Sequence, residues 1–272
     1  MITAGAFQPE THATCGSAQC IEISGADARA FAQAQFAGDL RTLEAGHWQW
    51  NAWLEAKGGV RALMHLADAG DGRLLALLRG GDAQSLCAML RQYVLRAKVS
   101  LQASDAWHRC AGPQLAFGTF VLESDAIGFG YGEYSLWLKR KDASSAGAQA
   151  ASEDTLRLGD IRNGWPTLPD GNHAFLPPAL GLEHLGAISF GKGCYPGQEI
   201  AARLHYRGGH KLRLCHVRSH APLEAGQPLS PAQPRSLVLD ALMTQQGCEA
   251  LVVLEQGAEI LPGIEIVRRF EA

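Results

Sequence analysis

The chain has 272 residues, a length that suits two domains or a pair of interwoven subdomains. Apolar residues make up 47% and charged residues 19% of it, so the chain can bury a sizeable core and global disorder is excluded. The net charge of −3 argues against wholesale wrapping by nucleic acid or attachment to an acidic membrane, although it leaves room for a local basic face.

No stretch reaches the roughly eighteen apolar residues of a membrane-spanning helix. Residues 1–20 lack the basic start and apolar centre of a signal peptide. The seven cysteines are scattered, without the close spacing of a zinc site. We therefore expect a cytoplasmic protein with free thiols, and disulfides or a structural metal are the alternative.

The first part of the chain mixes strand and helix patterns. Residues 21–24 predict a strand and residues 26–36 a helix. Loosely alternating tryptophans over 47–54 predict a strand that is exposed on one side, and a Gly-Gly turn then leads to a returning strand over 60–66. A helix over 83–93 and a strand over 94–101 are predicted next.

Farther along the chain, the predicted elements become shorter and are separated by proline and glycine. The small, polar residues of 142–153 predict a surface loop or, alternatively, a linker. Short strand patterns then follow over 211–217, 236–243, 250–254 and 264–267, separated by proline and glycine. No helical period persists there, so this tail predicts a small antiparallel barrel.

Residues 185–213 are dense in glycine and charge. Gly193 and Gly197 bracket Cys194, and the pair Pro196-Gly197 favours a type II turn. Such a turn would present Cys194 and Tyr195 at a loop tip. The alternative is a buried, structural cysteine in a glycine-rich turn.

Cations surround this cysteine in the sequence. Lys192 precedes Cys194 by two positions, and a neighbouring cation favours the thiolate over the thiol. Five Lys/Arg and no acid lie between Arg203 and Arg218. This local positive patch suits an anionic ligand, and a solvated strand face is the alternative.

The run from Lys192 to Arg203 resembles the signature of the YgfZ/GcvT-like folate-binding family, written roughly K-G-C-Y-x-G-Q-E-x-x-A-R. The matching residues are Lys192, Gly193, Cys194, Tyr195, Gly197, Gln198, Glu199, Ala202 and Arg203. Weaker similarity covers residues 25–40 and 94–99, Gly164-x-Pro166 and Phe175-x-Pro177. The resemblance therefore extends over most of the chain.

This resemblance implies the α+β fold of the glycine-cleavage T-protein. Two interwoven α/β subdomains would surround a central channel, and a C-terminal antiparallel β-barrel would follow. We expect the first subdomain at residues 1–46 and 113–205, the second at 47–112, and the barrel at 206–272.

The resemblance also implies a role. It indicates a folate-binding accessory protein in iron–sulfur cluster biogenesis or repair, which supports radical iron–sulfur enzymes including tRNA-modifying ones. Tetrahydrofolate or a derivative is the implied ligand, and client enzymes or assembly proteins are the implied partners. Stable nucleic-acid or membrane binding is not expected, and neither is conventional enzymatic turnover. If there is a reaction, it would depend on folate and use Cys194 as the key thiol.

The implied site follows the signature. Cys194 would act as a nucleophile or as a transient ligand of iron or a cluster, and Lys192 would favour its thiolate; no resident metal site is expected. Tyr195, Gln198 and Glu199 would shape the loop, whereas arginines would hold the anionic tail of the ligand. The expected cofactor-binding residues are Tyr195, Gln198, Glu199, Arg203, Arg207 and Asn163.

Two positions depart from the T-protein pattern. The catalytic carboxylate of T-proteins lies in a Gly-Gly-x-x-Asp-Asp stretch, where this chain has Arg61 and Ala62. Aminomethyl transfer, the alternative function, is therefore expected to fail. The pterin-binding glutamate of T-proteins corresponds to Arg162, and Asn163 would substitute for it in part.

Other candidates in the sequence have simpler explanations. Trp48, Trp50 and Trp53 would stack on a pterin or, more simply, belong to the core. The histidines near the basic patch lack metal-ligand spacing, and Cys215 is a conceivable redox partner of Cys194. A further alternative function is an RNA- or protein-docking module that uses the face from Arg203 to Arg218.

Overall fold

The computed structural model describes residues 17–141, 150–169, 175–231, 233–257 and 262–270. Its helices are α1 Ala28–Gln35, α2 Ala83–Arg91, α3 Ala150–Asn163 and α4 Gln198–Arg207. Its strands are β1 Ser17–Ser24, β2 Trp48–Leu54, β3 Val60–Asp68, β4 Leu74–Leu78, β5 Ser100–Ala111, β6 Phe120–Leu122, β7 Ala126–Gly130, β8 Ser135–Arg140, β9 Leu212–Ser219, β10 Leu237–Thr244, β11 Gly247–Glu255 and β12 Ile264–Phe270. No helix in these ranges is long and apolar enough to cross a membrane.

Eight antiparallel strands form one curled sheet in the order β2-β3-β4-β1-β5-β8-β7-β6. The two ends of this order meet, because His47 bridges Thr119 and the amide of Trp48 donates to Gly118 O at 2.8 Å. The sheet therefore encloses an interior. Its strands come from both predicted α/β subdomains, whose exact boundaries stay a prediction.

The curled sheet is buried on both faces along β1 to β4. Its interior holds an aromatic cluster that includes Trp48, Trp50 and Trp165, and its outer face packs under α1 and α2. The predicted hairpin of β2 and β3 is confirmed. The prediction that its first strand is exposed on one side is wrong, because Trp53 packs outward into the layer that contains α1 and α2.

The tail forms a second antiparallel sheet in the order β10-β11-β9-β12, and its four strands coincide with the four predicted ones. Helix α3 joins this sheet to the curled sheet. Arg157 at its centre pairs with Asp240 at 2.5 Å, and Gly164 just beyond its end lies flat against the ring of Phe270. A Cβ at Gly164 would approach that ring to 2.5 Å, so only glycine allows this close approach.

Two other element predictions need correction. Strand β5 begins at Ser100, and most of the predicted strand over 94–101 is an irregular connection. The amide of Lys98 donates to the carboxylate of Asp27 at 2.7 Å, and its carbonyl accepts from the amide of Asp27, so neither is free for a strand ladder. Residues 142–149 of the predicted loop lie outside the described residues, and the rest of that loop belongs to α3.

A fully buried histidine lies inside the curled sheet. His65 lies against the indoles of Trp48 and Trp50, with ring centroids 4.4 and 4.2 Å away, and its Nδ1 lies 2.8 Å from the Tyr131 hydroxyl. Burial, together with the charges of Arg79 and Arg109, lowers the pKa of His65 well below its usual value. The imidazole is therefore neutral in the folded protein at neutral pH.

We expect His65 to destabilise the fold in acid. Its folded-state pKa is lowered, so stability is full above the unfolded pKa of about 6.5 and falls as the pH drops below it, because only the unfolded chain takes up the proton. Each unit between the two pKa values is worth about 1.4 kcal/mol. Urea unfolding at about pH 7 and about pH 5 should show a smaller loss of stability for His65→Gln than for the unaltered chain. The exposed control His220→Gln should keep the full loss, and an equal loss in all three proteins would contradict this assignment.

Candidate functional site

The signature loop, residues 190–197, leads directly into α4. The amide of Gln198 donates to Tyr195 O at 3.3 Å, and Gly197 has φ 77° and ψ −1°, the values of the third residue of a type II turn. Helix α4 begins at Gln198. The predicted turn is confirmed, and the helix follows it directly.

The end of the signature loop rests on the β2–β3 hairpin without any gap. A Cβ at Gly197 would lie 2.5 Å from Glu55 O and 2.9 Å from Leu54 Cβ. Across the same contact, a Cβ at Gly58 would lie 2.8 Å from the side chain of Ile200. Two glycines from distant parts of the chain therefore let the loop and the hairpin touch.

Lys192 ties the start of the loop to the end of α1. Its side chain is buried, and its ammonium donates to the carbonyls of Gln33 at 2.5 Å, Phe36 at 2.6 Å and Gly38 at 3.0 Å. Burial lowers the pKa of Lys192 to about 8, and the nearby Asp39 carboxylate opposes the shift. At neutral pH the charged lysine thus caps the carbonyls that follow α1. Its predicted effect on the Cys194 thiolate stays a prediction.

The loop exposes Cys194 and buries its neighbour. Among the described cysteines Cys194 is exposed, whereas Cys215 and the others are buried. Tyr195 packs inward with its ring 5.2 Å from the Lys192 ammonium, and burial raises its pKa to about 12. The expectation that both side chains stand at the loop tip is therefore correct for Cys194 and wrong for Tyr195. The buried face of the aromatic ring stabilises the loop beneath the thiol.

The remaining predicted site residues are split between two helices. Glu199, Arg203 and Arg207 are exposed along α4, with Gln198 half-buried at its first position. Asn163 is exposed at the end of α3. The structure thus groups the α4 residues with Cys194 and places Asn163 on another element. Their roles in ligand binding stay predictions.

The position that departs from the T-protein glutamate has a structural partner. Arg162 donates to both carboxylate oxygens of Glu249, at 2.9 and 2.6 Å, and Glu249 also lies 3.0 Å from Nε2 of His216. The Arg162 guanidinium holds the pKa of the Glu249 carboxyl below its usual range, and burial lowers that of His216. Arg162 therefore joins α3 to the second sheet. Sequence reasoning missed Glu249 because it lies far along the chain.

The other departure also has a structural explanation. Arg61 is exposed and pairs with Glu55 across the hairpin at 2.5 Å, and Ala62 is buried in the outer core. The acid on this hairpin, Glu55, is therefore engaged by Arg61. At positions 61 and 62 no carboxylate is available for proton transfer.

A cavity of about 290 Å³ lies beside the signature loop. Its lining combines aromatic rings with polar groups: Asp39, Thr42, Trp48, Gln49, Trp50, Phe117, Leu185, Gly186 and Ser189. The indoles of Trp48 and Trp50 are almost wholly buried, whereas Phe117 is 64% exposed with its ring 5.5 Å from Trp48. The tryptophans are core residues, as the sequence favoured, and they also border this cavity.

One short segment, residues 36–42, borders both the cavity and the loop. Asp39 lines the cavity and pairs with Arg41, whose guanidinium also reaches Gly191 O at 3.4 Å. The amide of Ser189 donates to Ala37 O at 2.9 Å. Residues 36–42 therefore contact both the aromatic cavity and the loop that carries the exposed thiol. In the described ranges, no three His, Cys, Asp or Glu side chains converge as a metal-ligand set.

The chain is similar to known proteins over most of its length, although no family model matches it. A tRNA-modifying protein YgfZ from Edwardsiella ictaluri is 31% identical over 228 residues, which are 74% of this chain and 69% of that protein. The protein of the same name from Vibrio vulnificus strain YJ016 is 31% identical over 71% of this chain and 65% of its own. The one from Escherichia coli O7:K1 is 27% identical over 84% of this chain and 78% of its own.

A solved structure shows the same architecture. The aminomethyltransferase T of the glycine cleavage system from Bartonella henselae superposes with a TM-score of 0.63, over 89% of this chain and 77% of that one, at 15% identity. At this identity the likeness concerns the fold alone. It confirms the predicted T-protein-like fold.

The contact between the loop and the hairpin makes Gly197→Ala destabilising. The substitution puts a Cβ against the Glu55 carbonyl and forces an alanine to a positive φ, so we expect a loss of about 1–3 kcal/mol in the free energy of unfolding. Gly193→Ala is the matched control, since no atom lies within 4 Å of a Cβ there and its φ is not positive. Chemical unfolding of both variants measures the difference. Similar losses in the two would show that the loop does not depend on this contact.

Proposed function

The chain belongs to the YgfZ family, and from this premise we propose that it has a role related to tRNA modification, as a folate-binding accessory protein in iron–sulfur cluster biogenesis or repair. It would support radical iron–sulfur enzymes, including those that modify tRNA. The names of its relatives support the connection to tRNA modification. The proposed folate binding and the proposed role with iron–sulfur clusters are argued from the geometry of the candidate site.

The observation that carries the proposal is an exposed thiol, Cys194, on a loop that contacts the wall of an aromatic cavity. The thiol stands on a loop that is anchored at Lys192 and at Gly197, so its position is defined although its side chain is free to react. Residues 36–42 line the cavity and also contact that loop. A ligand bound there would lie next to the loop that carries Cys194.

The cavity residues fit the ring of a tetrahydrofolate. Phe117, Trp48 and Trp50 offer apolar, aromatic surface to a flat ring, while Asp39 and Gln49 provide acceptors or donors at the rim. A pterin carries N–H donors that a carboxylate or an amide oxygen accepts. Bound tetrahydrofolate would supply one-carbon or redox chemistry. Asp39 or Gln49 would then take the place of the pterin-binding glutamate of T-proteins, which this chain lacks at Arg162.

A single thiolate suits a transient role with an iron–sulfur cluster. An exposed cysteine can ligate iron only together with ligands from elsewhere, because clusters are generally held by several thiolates. The partner enzyme or assembly protein would supply those ligands. Cys194 would then take part in delivery or repair of the cluster, which is the cargo, and would not store it.

The alternatives are weaker on specific observations. Aminomethyl transfer needs a proton-accepting carboxylate, and the hairpin has Arg61 and Ala62 where T-proteins have acids. A docking module would use the basic face from Arg203 to Arg218 and leave the thiol and the cavity without a role.

We expect Cys194→Ala to abolish the cellular function and leave the fold intact. The side chain is exposed, so its removal should change the free energy of unfolding by less than about 0.5 kcal/mol. A deletion strain that carries the variant should show the loss of a tRNA modification made by a radical iron–sulfur enzyme, measured by mass spectrometry of the tRNA. Leu95→Ala, at a side chain that is 87% exposed, is the control and should restore the modification. Full restoration by Cys194→Ala would refute the role of this thiol.

Folate binding is tested directly by calorimetric titration with tetrahydrofolate and its formyl and methylene forms. We expect Phe117→Ala to weaken binding roughly tenfold, because a stacking contact of an aromatic ring is worth about 1–3 kcal/mol. Tyr93→Ala removes another partly exposed ring that does not line the cavity, and it should bind like the unaltered chain. Absence of binding to every folate form would remove the ligand from the proposal and leave the fold unaffected.

A further inference from the structure

Helix α4 and the signature loop form one continuous surface. The last residue of the loop, Gly197, precedes the first residue of α4, and its carbonyl accepts from the amide of Ala201 at 3.1 Å. At the other end of both elements, the ring of Phe190 stacks on His205, with centroids 4.2 Å apart and planes inclined by 21°. The loop therefore runs back along the helix. Cys194, midway along the loop, is exposed beside it.

The outward side of α4 combines cations with an aromatic ring. Its exposed residues recur at the spacing of one helical face: Glu199, Arg203, Tyr206 and Arg207. Ala201, on the opposite side, is buried. The Tyr206 side chain is 74% exposed, although its ring lies 4.6 Å from the ring of His205. Tyrosine and arginine are residues in which protein interfaces concentrate their binding energy, so this composition indicates an interaction surface.

This side of α4 is positively charged. Arg203 and Arg207 are followed by Lys211 beyond the helix, and the chain has no Asp or Glu at positions 200–223. The acids that border the surface already have partners, in the pairs Glu183–His205, Asp39–Arg41 and Glu55–Arg61. Glu199 is the acid that the helix face itself carries. Cations therefore predominate here, although the whole chain has a net charge of −3.

The thiol needs a partner that approaches along this surface. Cys194 would ligate iron together with ligands from another protein, so that protein must contact the residues around the thiol. Its cluster ligands are thiolate anions, and opposite charge on facing surfaces speeds encounter and suppresses wrong partners. A protein with an acidic docking face fits this surface. Nucleic acid fits it less well, because a net charge of −3 repels a polyanion and α4 presents two arginines.

We propose that the face of α4 formed by Arg203, Tyr206 and Arg207 docks an acidic protein surface and so brings the cluster ligands of that partner to Cys194. This inference rests on the proposed function and deepens it by naming the chemistry of the partner. It assigns Arg203 and Arg207 to the partner, whereas the sequence favoured the anionic tail of a folate for them. Neither arginine lines the aromatic cavity.

Thiol–disulfide exchange at Cys194 measures the charge preference of this surface. The probes are three short peptides, rich in glutamate, serine or lysine, each with a single cysteine held in a disulfide with nitrothiobenzoate. The Cys194 thiolate attacks the cysteine sulfur of the peptide, forms a mixed disulfide and releases the coloured nitrothiobenzoate thiolate. Every protein carries Cys15→Ser, because Cys15 lies outside the described residues; the other cysteines are buried.

We expect the glutamate-rich peptide to react about tenfold faster than the lysine-rich one at low salt, because opposite charge steers the encounter. Arg203→Gln combined with Arg207→Gln should reduce this ratio to about twofold, and so should salt of about 1 M, which screens the charges. The serine-rich peptide should react equally with this double variant and the unaltered chain, which shows that the loop is intact. Arg140→Gln is the matched control, since it removes an exposed arginine of β8 that stacks over Trp107, and it should keep the full ratio.

In cells, Arg203→Glu combined with Arg207→Glu should lose the tRNA modification, Tyr206→Ala should lower it and Arg140→Glu should restore it. Equal rates with all three peptides would overturn the docking surface, and loss of the modification in Cys194→Ala would then leave the proposed function in place. Binding of tRNA that disappears in the Arg203 and Arg207 double variant, without any preference among the peptides, would make the partner a nucleic acid and also overturn the inference. If Cys194→Ala restores the modification, the proposed function fails, and the partner named here fails with it.

Discussion

The ammonium of Lys192 organises the candidate site. It replaces water at three carbonyls where α1 ends, and a hydrogen bond to a charged group is worth about 1.5–3 kcal/mol. Ordering a loop costs about 1–2 kcal/mol for each residue, and the signature loop has three glycines, which lose more freedom than other residues. A contact of this strength is therefore needed to hold the loop in one conformation. Without it, the carbonyls at the end of α1 would lose this donor, and the loop of Cys194 would keep only its anchor at Gly197.

Two ion pairs with buried carboxylates position α3 in a similar way. Arg79 and Asp160 are both almost fully buried and pair at 2.7 Å, which fixes α3 against the curled sheet. Arg162 and Glu249 fix the end of α3 against the second sheet. The Arg79–Asp160 pair adds little net stability because both ions lose water, whereas Arg162 stays half-exposed beside its buried partner. In either pair, a misplaced helix would leave a buried carboxylate alone at a cost of several kcal/mol. The pairs thus select one arrangement of the two sheets, and α3 is the element that both of them hold.

This arrangement explains how a T-protein-like fold accommodates a different site. The hairpin that carries acids in T-proteins here carries Arg61, which neutralises Glu55, and its Gly58 instead supports the signature loop. The hairpin packs directly against the end of the loop that exposes Cys194. The aromatic cavity remains beside it, bounded by residues 36–42. The fold is retained, and in the proposed function its reactive group is a thiol in place of a carboxylate.

The sequence by itself determined the features that depend on neighbouring residues. Pro196-Gly197 specifies a type II turn because proline presets one φ and only glycine tolerates the next, and α4 begins directly after it. The four strands of the tail and the β2–β3 hairpin were also predictable, since alternation and turn residues act locally. Tertiary structure alone decided which groups meet. The inward rotation of Tyr195, the pairing of Arg162 with Glu249 and the three carbonyls bound by Lys192 all join residues that are distant in the chain or depend on such contacts. Burial and charge pairing act through space, so no local pattern reports them.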